Sequence, residues 1–352
     1  MAGFAAATLL PVPLLALGAA YGGPWLWAAL IYMGGLTMLI DQILPLVEGD
    51  APEGAEFPAA DALLAALGLL AVLILPLATW GATARHLSAG ETLALMLTAG
   101  FWLGQVAHPT AHELIHRADR RLFRLGVAVY SALLIGHHTS SHRLVHHRHV
   151  ATRDDPATAR AGEGFWRYLR RASVGGFRKG LRAEADLRAR GTAPGLHPYA
   201  TYLGLAALAL LLAFLIGGGW GVLVWLALAA HAQTQIHLAD YVQHYGLTRH
   251  TLPDGRLESV AMRHSWNTAH WFSSALLLNA PRHSDHHAHP ARPYPALRLP
   301  EDAPRLPWPL PLACTLALVP PLWRRLMRPH LARWQDEPLG ASMGPSLGVT
   351  AP

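Results

Sequence analysis

A single cysteine, Cys314, stands in 352 residues. That scarcity excludes a disulfide framework, a thiolate-clustered zinc site and an appended cysteine-rich electron carrier. Charge is also scarce: Asp, Glu, Lys and Arg make up 14% of the chain against 52% hydrophobic residues, with a mean hydropathy of +0.24. This balance points to the membrane class rather than to soluble domains. The net charge of +6 and pI near 9.8 come without any nucleic-acid motif. The basic surplus therefore suits anionic lipid or an acidic protein partner, and nucleic acid is not expected. No repeat of fixed period is visible.

The apolar residues are clumped into six stretches, 7–22, 25–46, 61–80, 87–107, 199–217 and 220–238. Each is near the roughly 20 residues that a bilayer-crossing helix needs. The first has no basic residue before it and a second span follows at once, so it reads as a retained span and not as a cleaved leader. Residues 108–198 carry 16 of the 28 Lys and Arg, and residues 239–352 carry 11. Cationic segments beside spans stay cytoplasmic. Six spans put both segments on that side, although 46–60 should share it and is acidic. The expected fold is an all-α integral membrane protein of the inner (cytoplasmic) membrane. Its six transmembrane helices carry a cytoplasmic helical, histidine-rich cap, and 1–352 form one membrane-bound domain. Residues 1–107 and 199–238 supply the spans, and 108–198 and 239–352 the cap. The apolar piece 310–323, interrupted by Pro320 and Pro321, reads as interfacial, and 345–352 as a frayed tail.

Of 22 histidines, only His86 precedes residue 107. Nine of the rest form a spaced pattern: His112-x-x-x-His116, His142-x-x-x-His146-His147, His244, and His283-x-x-His286-His287. Residues three and four apart share a helix face, whereas adjacent ones diverge by about 100°. One cluster can therefore serve one metal or reach toward two. Imidazole suits iron, copper, zinc and nickel. Nine ligands are too many for a single ion and suit two metals with positions left open for O2. His112-Glu113-Leu114-Ile115-His116 also has the spacing of a one-zinc peptidase, but that reading leaves two His-His pairs without a use. His108, His231 and His237 divide evenly between supporting the ligands and packing helices. Asp41, inside the second stretch, either lines a substrate channel or bonds a neighbouring helix.

Five strings carry a family resemblance. They are His112-Glu113-Leu114-Ile115-His116, Val150-Ala151-Thr152 followed by Asp155-Pro156-Ala157, His244-Tyr245-Gly246-Leu247, His264-Ser265-Trp266-Asn267 and Arg282-His283-Ser284-Asp285-His286-His287-Ala288. Together they resemble the membrane-bound non-haem di-iron alkane hydroxylases, within the superfamily of fatty-acid desaturases and xylene monooxygenase. The resemblance implies terminal hydroxylation of medium- or long-chain alkanes with O2 and two Fe ions. It implies electrons from rubredoxin and its NADH-dependent reductase. It also implies that His112, His116, His142, His146, His147, His244, His283, His286 and His287 hold the metal. Ser141, Val145, Arg117 and Asp240-Tyr241-Val242-Gln243 depart from the usual pattern, which leaves the ligands intact and puts the substrate in doubt.

Breaking an unactivated C–H bond is beyond acid–base side chains, so a metal-bound oxidant must do it. Glu113, Asp119, Asp155, Asp240 and Asp285 are expected to accept the far N–H of the ligating rings and offset the metal charge. Arg120, Arg121, Arg170 and Arg171 offer a dock for an acidic electron donor, because Cys314 alone cannot build an iron–sulfur centre. The substrate is expected to enter from the bilayer. Two alternatives are a related enzyme acting on aromatic methyl groups or fatty acyl chains, and a metal transporter. The transporter suits less well, because its ligands would lie within the spans at mid-bilayer.

Overall fold

The computed structural model describes residues 1–44, 46, 47, 49–191 and 195–335; the tail at 345–352 lies outside them. Those residues form helices with three isolated β-bridges and no strand. Four helical segments are long and apolar enough to cross a bilayer: Ala2–Tyr21, Pro24–Gln42, Ala59–Thr83 and Pro198–Gln243. The first two fold against each other through Gly22 and Gly23, both at φ +64, a backbone that residues with a Cβ rarely adopt. The Gly23 N–H donates to Glu91 Oε1 at 2.7 Å, and Glu91 also completes a capping box with Ser88. This pair begins the helical run 89–115, which is α-helical, then π-helical over Leu103–Ala107, then α-helical again to Ile115.

The stretches 199–217 and 220–238 merge into the run Pro198–Gln243, broken at Gly217 and Gly218. Gly218 has φ 60 and ψ −147, a region held essentially by glycine. The chain folds back there, since a Cβ on Gly221 would stand 2.2 Å from the Ala213 carbonyl oxygen. The fourth expected span, 87–107, is not among these four segments: the run 89–115 carries Glu91 and Gln105 and continues into His112. Outward-facing Leu69, Leu73, Leu208, Leu211, Phe214, Leu215 and Leu223 are exposed. Such a surface is stable only against lipid or another apolar partner; the chain is a membrane protein.

The polar segments pack over one end of these helices. Helix Phe165–Ala189 lies against the short helices 138–149 and against Pro198–Gln243. The piece 310–323 is broken at Pro320 and Pro321, as its sequence suggested. They open helix Pro320–Gln335 after the turn that ends Leu310–Ala317, where a missing N–H matters least. Trp323, Met327 and Leu331 of that helix are buried, in a second core with Tyr241, Tyr245 and Trp266.

Asp41 is explained by local capping. Its carboxylate accepts the Phe272 N–H at 2.7 Å and the Ser273 N–H at 2.9 Å, closing the first turn of helix Trp271–Leu276. It bonds a neighbouring helix and is absent from the wall of the apolar cavity described below.

Candidate metal centre

All nine histidines converge at the end of the spans, in two groups. His112, His116, His142, His147 and His286 form one, and His146, His244, His283 and His287 the other. Within each group the ligand nitrogens lie within 4.8 Å of one another. His112 and His116 stand one turn apart at the end of the run 89–115. The π-helical turn His142–His146 followed by His147 sends His146 to one group and the adjacent His147 to the other. The short helix His283–Ala288 divides likewise, with His286 in the first group and His283 and His287 in the second. Each short helix therefore serves both groups, which ties the two together.

The ring nitrogens face each other at close range. Nε2–Nε2 separations are 2.8 Å for His112 and His142, 2.9 Å for His142 and His147, 2.9 Å for His244 and His283, and 3.2 Å for His283 and His287. His116 Nε2 and His146 Nε2 are buried with no hydrogen-bond partner. A neutral imidazole has one lone pair and one N–H, so converging rings leave buried lone pairs unanswered. Unpaired buried acceptors cost about 1–3 kcal/mol each. A cation at each focus answers all of them at once, and nine imidazoles with no thiolate suit a divalent transition metal. The donor set fits iron.

Burial keeps these rings neutral. Desolvation lowers His112, His147 and His244 from the ordinary 6.5 to about 3, and neighbouring imidazoles add to the effect on each. His146 moves the other way: burial pushes it down, but the Asp155 carboxylate outweighs that and raises it. The sign for stability follows. An unfolded chain takes up protons below pH 6.5 that the folded rings refuse, so stability falls as pH drops from about 6.5 toward 3. Metal-stripped protein in detergent is therefore expected to melt progressively lower between pH 6.5 and 4 while holding steady above 7. A flat melting temperature across that range would contradict the burial of neutral rings.

Of the five carboxylates expected behind the ligands, only Asp155 meets one of the nine rings. It accepts the His146 Nδ1–H at 2.8 Å, the Thr158 hydroxyl at 2.6 Å and the Ala157 N–H at 2.9 Å. Glu113 turns away to Arg117 at 3.1 Å and the Tyr294 N–H at 3.2 Å, and burial pushes it up to about 7. Asp119 is exposed and caps helix Arg120–Ala132, accepting from Arg121 and Leu122. Asp285 accepts His289 Nδ1–H and the Arg298 N–H, both outside the nine. Asp240 is buried, close enough for its charge to act on His146. Sequence proximity could not tell a cap or an arginine partner from a ring partner. Ser265 was missed: its hydroxyl lies 3.4 Å from His244 Nδ1, and the string His264-Ser265-Trp266-Asn267 was its only signal.

Of the four arginines offered as a dock, Arg171 is committed internally to Glu163 and to the Pro156 and Thr158 carbonyls. Arg120, Arg121 and Arg170 are exposed. In the five-histidine group His116 and His147 are half-buried, whereas every member of the other group is buried.

A cavity of ≈ 190 Å³ runs from the rings of His112, His142 and His283 between the helices. Met38, Phe101, Leu277, Leu310 and Leu318 give it an apolar wall. A bundle of apolar helices capped by converging histidines over an apolar cavity defines an oxidoreductase of the fatty acid desaturase family, whose profile matches residues 89–308. Among individual proteins, the chain is 31% identical to alkane 1-monooxygenase 2 of Pseudomonas aeruginosa over 329 residues, covering 90% of this chain and 86% of that protein. It is 34% identical to alkane 1-monooxygenase 1 of Alcanivorax borkumensis over 321 residues, covering 88% and 78%. It is 37% identical to the alkane 1-monooxygenase of Pseudomonas putida over 268 residues, covering 73% of this chain and 64% of that protein. The chain belongs to the alkane 1-monooxygenase family and is a monooxygenase.

Proposed function

We propose that the chain hydroxylates the terminal carbon of medium- or long-chain alkanes, with two iron ions held by the nine histidines. The observation that carries this reading is the apolar cavity whose inner end is built from rings of both histidine groups. His112, His116, His142, His147 and His286 would hold one iron, and His146, His244, His283 and His287 the other. When bound, the iron pair supplies the O2 activation that no side chain provides.

The protein's own residues position and exclude. Asp155 keeps the proton of His146 on Nδ1 and so turns Nε2 inward. Ser265 does similar work at His244. Met38, Phe101, Leu277 and Leu310 hold an alkyl chain away from water, at about 0.8 kcal/mol per buried methylene, and bring its end to the rings. Electrons come from outside, since Cys314 is the lone cysteine. Rubredoxin with its NADH-dependent reductase is the donor we assign, approaching the half-buried His116 and His147 from the cytoplasmic face of the inner membrane.

Membranes carrying the protein, supplied with C6–C16 alkanes, NADH, rubredoxin and reductase, are expected to yield 1-alkanols by gas chromatography. Purified protein is expected to hold two iron ions per chain. Oxidation of xylene or fatty acid with no alkanol would overturn the substrate assignment. Iron-free protein that moves zinc across vesicles would overturn the enzyme.

A further inference from the structure

A second, smaller chamber of ≈ 20 Å³ lies behind His142, between the short helices 138–149, helix Phe165–Ala189 and the last turns of Pro198–Gln243. His138, Ser141, His142, Gly176, His237 and Asp240 are in its wall. Three polar groups of that wall are left unanswered by the rest of the protein. His142 turns Nε2 toward the Nε2 atoms of His112 and His147, at 2.8 and 2.9 Å. A ring that gives Nε2 to a metal carries its proton on Nδ1, and His142 Nδ1 is buried with no hydrogen-bond partner. The Ser173 hydroxyl donates to the Leu169 carbonyl at 2.7 Å, so toward His237 Nε2, at 3.0 Å, it accepts. That leaves His237 Nδ1 with a lone pair, also buried and unpartnered. Asp240 is 6% exposed, and among the described residues no donor reaches its carboxylate. A buried carboxylate without hydrogen bonds is costly.

We infer that an ordered water in this chamber accepts the His142 Nδ1–H and donates to Asp240 and to His237 Nδ1. Asp240 and His237 are then positioning residues of the five-histidine group, acting through that water. The inference rests on reading the nine histidines as the iron ligands. A buried water needs two to four polar partners and about 10–15 Å³ of room; the chamber supplies three partners and enough space. One N–H and two acceptors match a water that accepts once and donates twice. The arrangement does for His142 at one remove what Asp155 does for His146 directly, fixing the tautomer and leaning a negative charge on the ring. It also gives the Asp240 carboxylate a donor. Gly176 keeps the chamber open. A Cβ there would meet Ser141 Oγ at 3.7 Å and Ser141 Cβ at 3.8 Å, which is ordinary contact. A methyl group therefore fits at Gly176 and takes the space of the water.

Gly176→Ala tests this, because it removes room for the water and leaves every polar side chain in place. Alanine is the better helix former, so the metal-free variant is expected to melt no lower than wild type. Its iron is nevertheless expected to be lost to a chelator about tenfold more readily, the low end of the effect of removing a partner behind a metal-bound histidine. Mössbauer spectra of the variant are expected to change only for the iron whose signal His116→Ala also alters. Asp240→Leu is expected to match this chelator sensitivity, and Asp240→Asn, which keeps an acceptor, to recover part of the loss. A high-resolution electron cryo-microscopy map of wild type is expected to show one water within hydrogen-bond reach of His142, His237 and Asp240. The map of Gly176→Ala is expected to show none. A wild-type map without that water, wild-type chelator resistance in Gly176→Ala, or equal changes at both irons would each overturn the inference. Protein that shows the water but binds no iron would uphold the water site and fail the di-iron reading instead.

Discussion

His244→Ala is expected to abolish alkane hydroxylation and to reduce bound iron from two per chain to about one. His244 belongs to the four-histidine group, where its Nε2 stands 2.9 Å from that of His283 and the ring is wholly buried. Three imidazoles remain after its removal, and alanine leaves a buried void that no neighbour fills with a donor. His116→Ala is the contrasting case. It comes from the group of five, is half-buried, and leaves four rings behind. Iron measured by plasma mass spectrometry should therefore stay near two in His116→Ala, with partial activity. Equal iron loss in both variants would mean that the two groups do not act as separate sites.

Asp155→Asn is expected to lower iron affinity or turnover by about 10–100-fold, the usual effect of losing a partner behind a metal-bound histidine. The carboxylate is fully enclosed, and burial alone would raise its pKa. The His146 imidazole and the bonds from Thr158 and Ala157 outweigh that and hold it below the usual carboxylate range. Asparagine keeps one acceptor and loses the charge that raises His146. It can also present its NH2 to Nδ1 and so reverse the tautomer that turns Nε2 inward. Competition against a graded iron chelator, with turnover measured in parallel, reads both effects. Thr158→Val, which removes one of three bonds to the carboxylate and keeps its charge, should cost less. Wild-type chelator resistance in Asp155→Asn would show that His146 needs no orientation.

Much of this protein was legible in its order of residues because the informative patterns are local. A run of about twenty apolar residues suits a bilayer-crossing helix, since backbone polar groups in lipid must be satisfied within their own helix. Histidines four apart, as His112 and His116 are, share a face whatever surrounds them. The apolar stretches 199–217 and 220–238 are separated by glycines, and Gly218 at φ 60 breaks the helix there.

What only the tertiary structure decided involves partners far apart in the chain. Asp41 meets Phe272 across 231 positions, and Glu113 meets Tyr294 across 181. Nothing near either carboxylate names those backbone N–H groups. The division of nine histidines into five and four, the choice of Asp155 alone as a ring partner, and the cavity wall from Leu310 to Leu318 are of the same kind. Helical spacing sets the direction of a side chain about its own axis, but the meeting of four segments is set by how whole helices pack, and that depends on every contact at once.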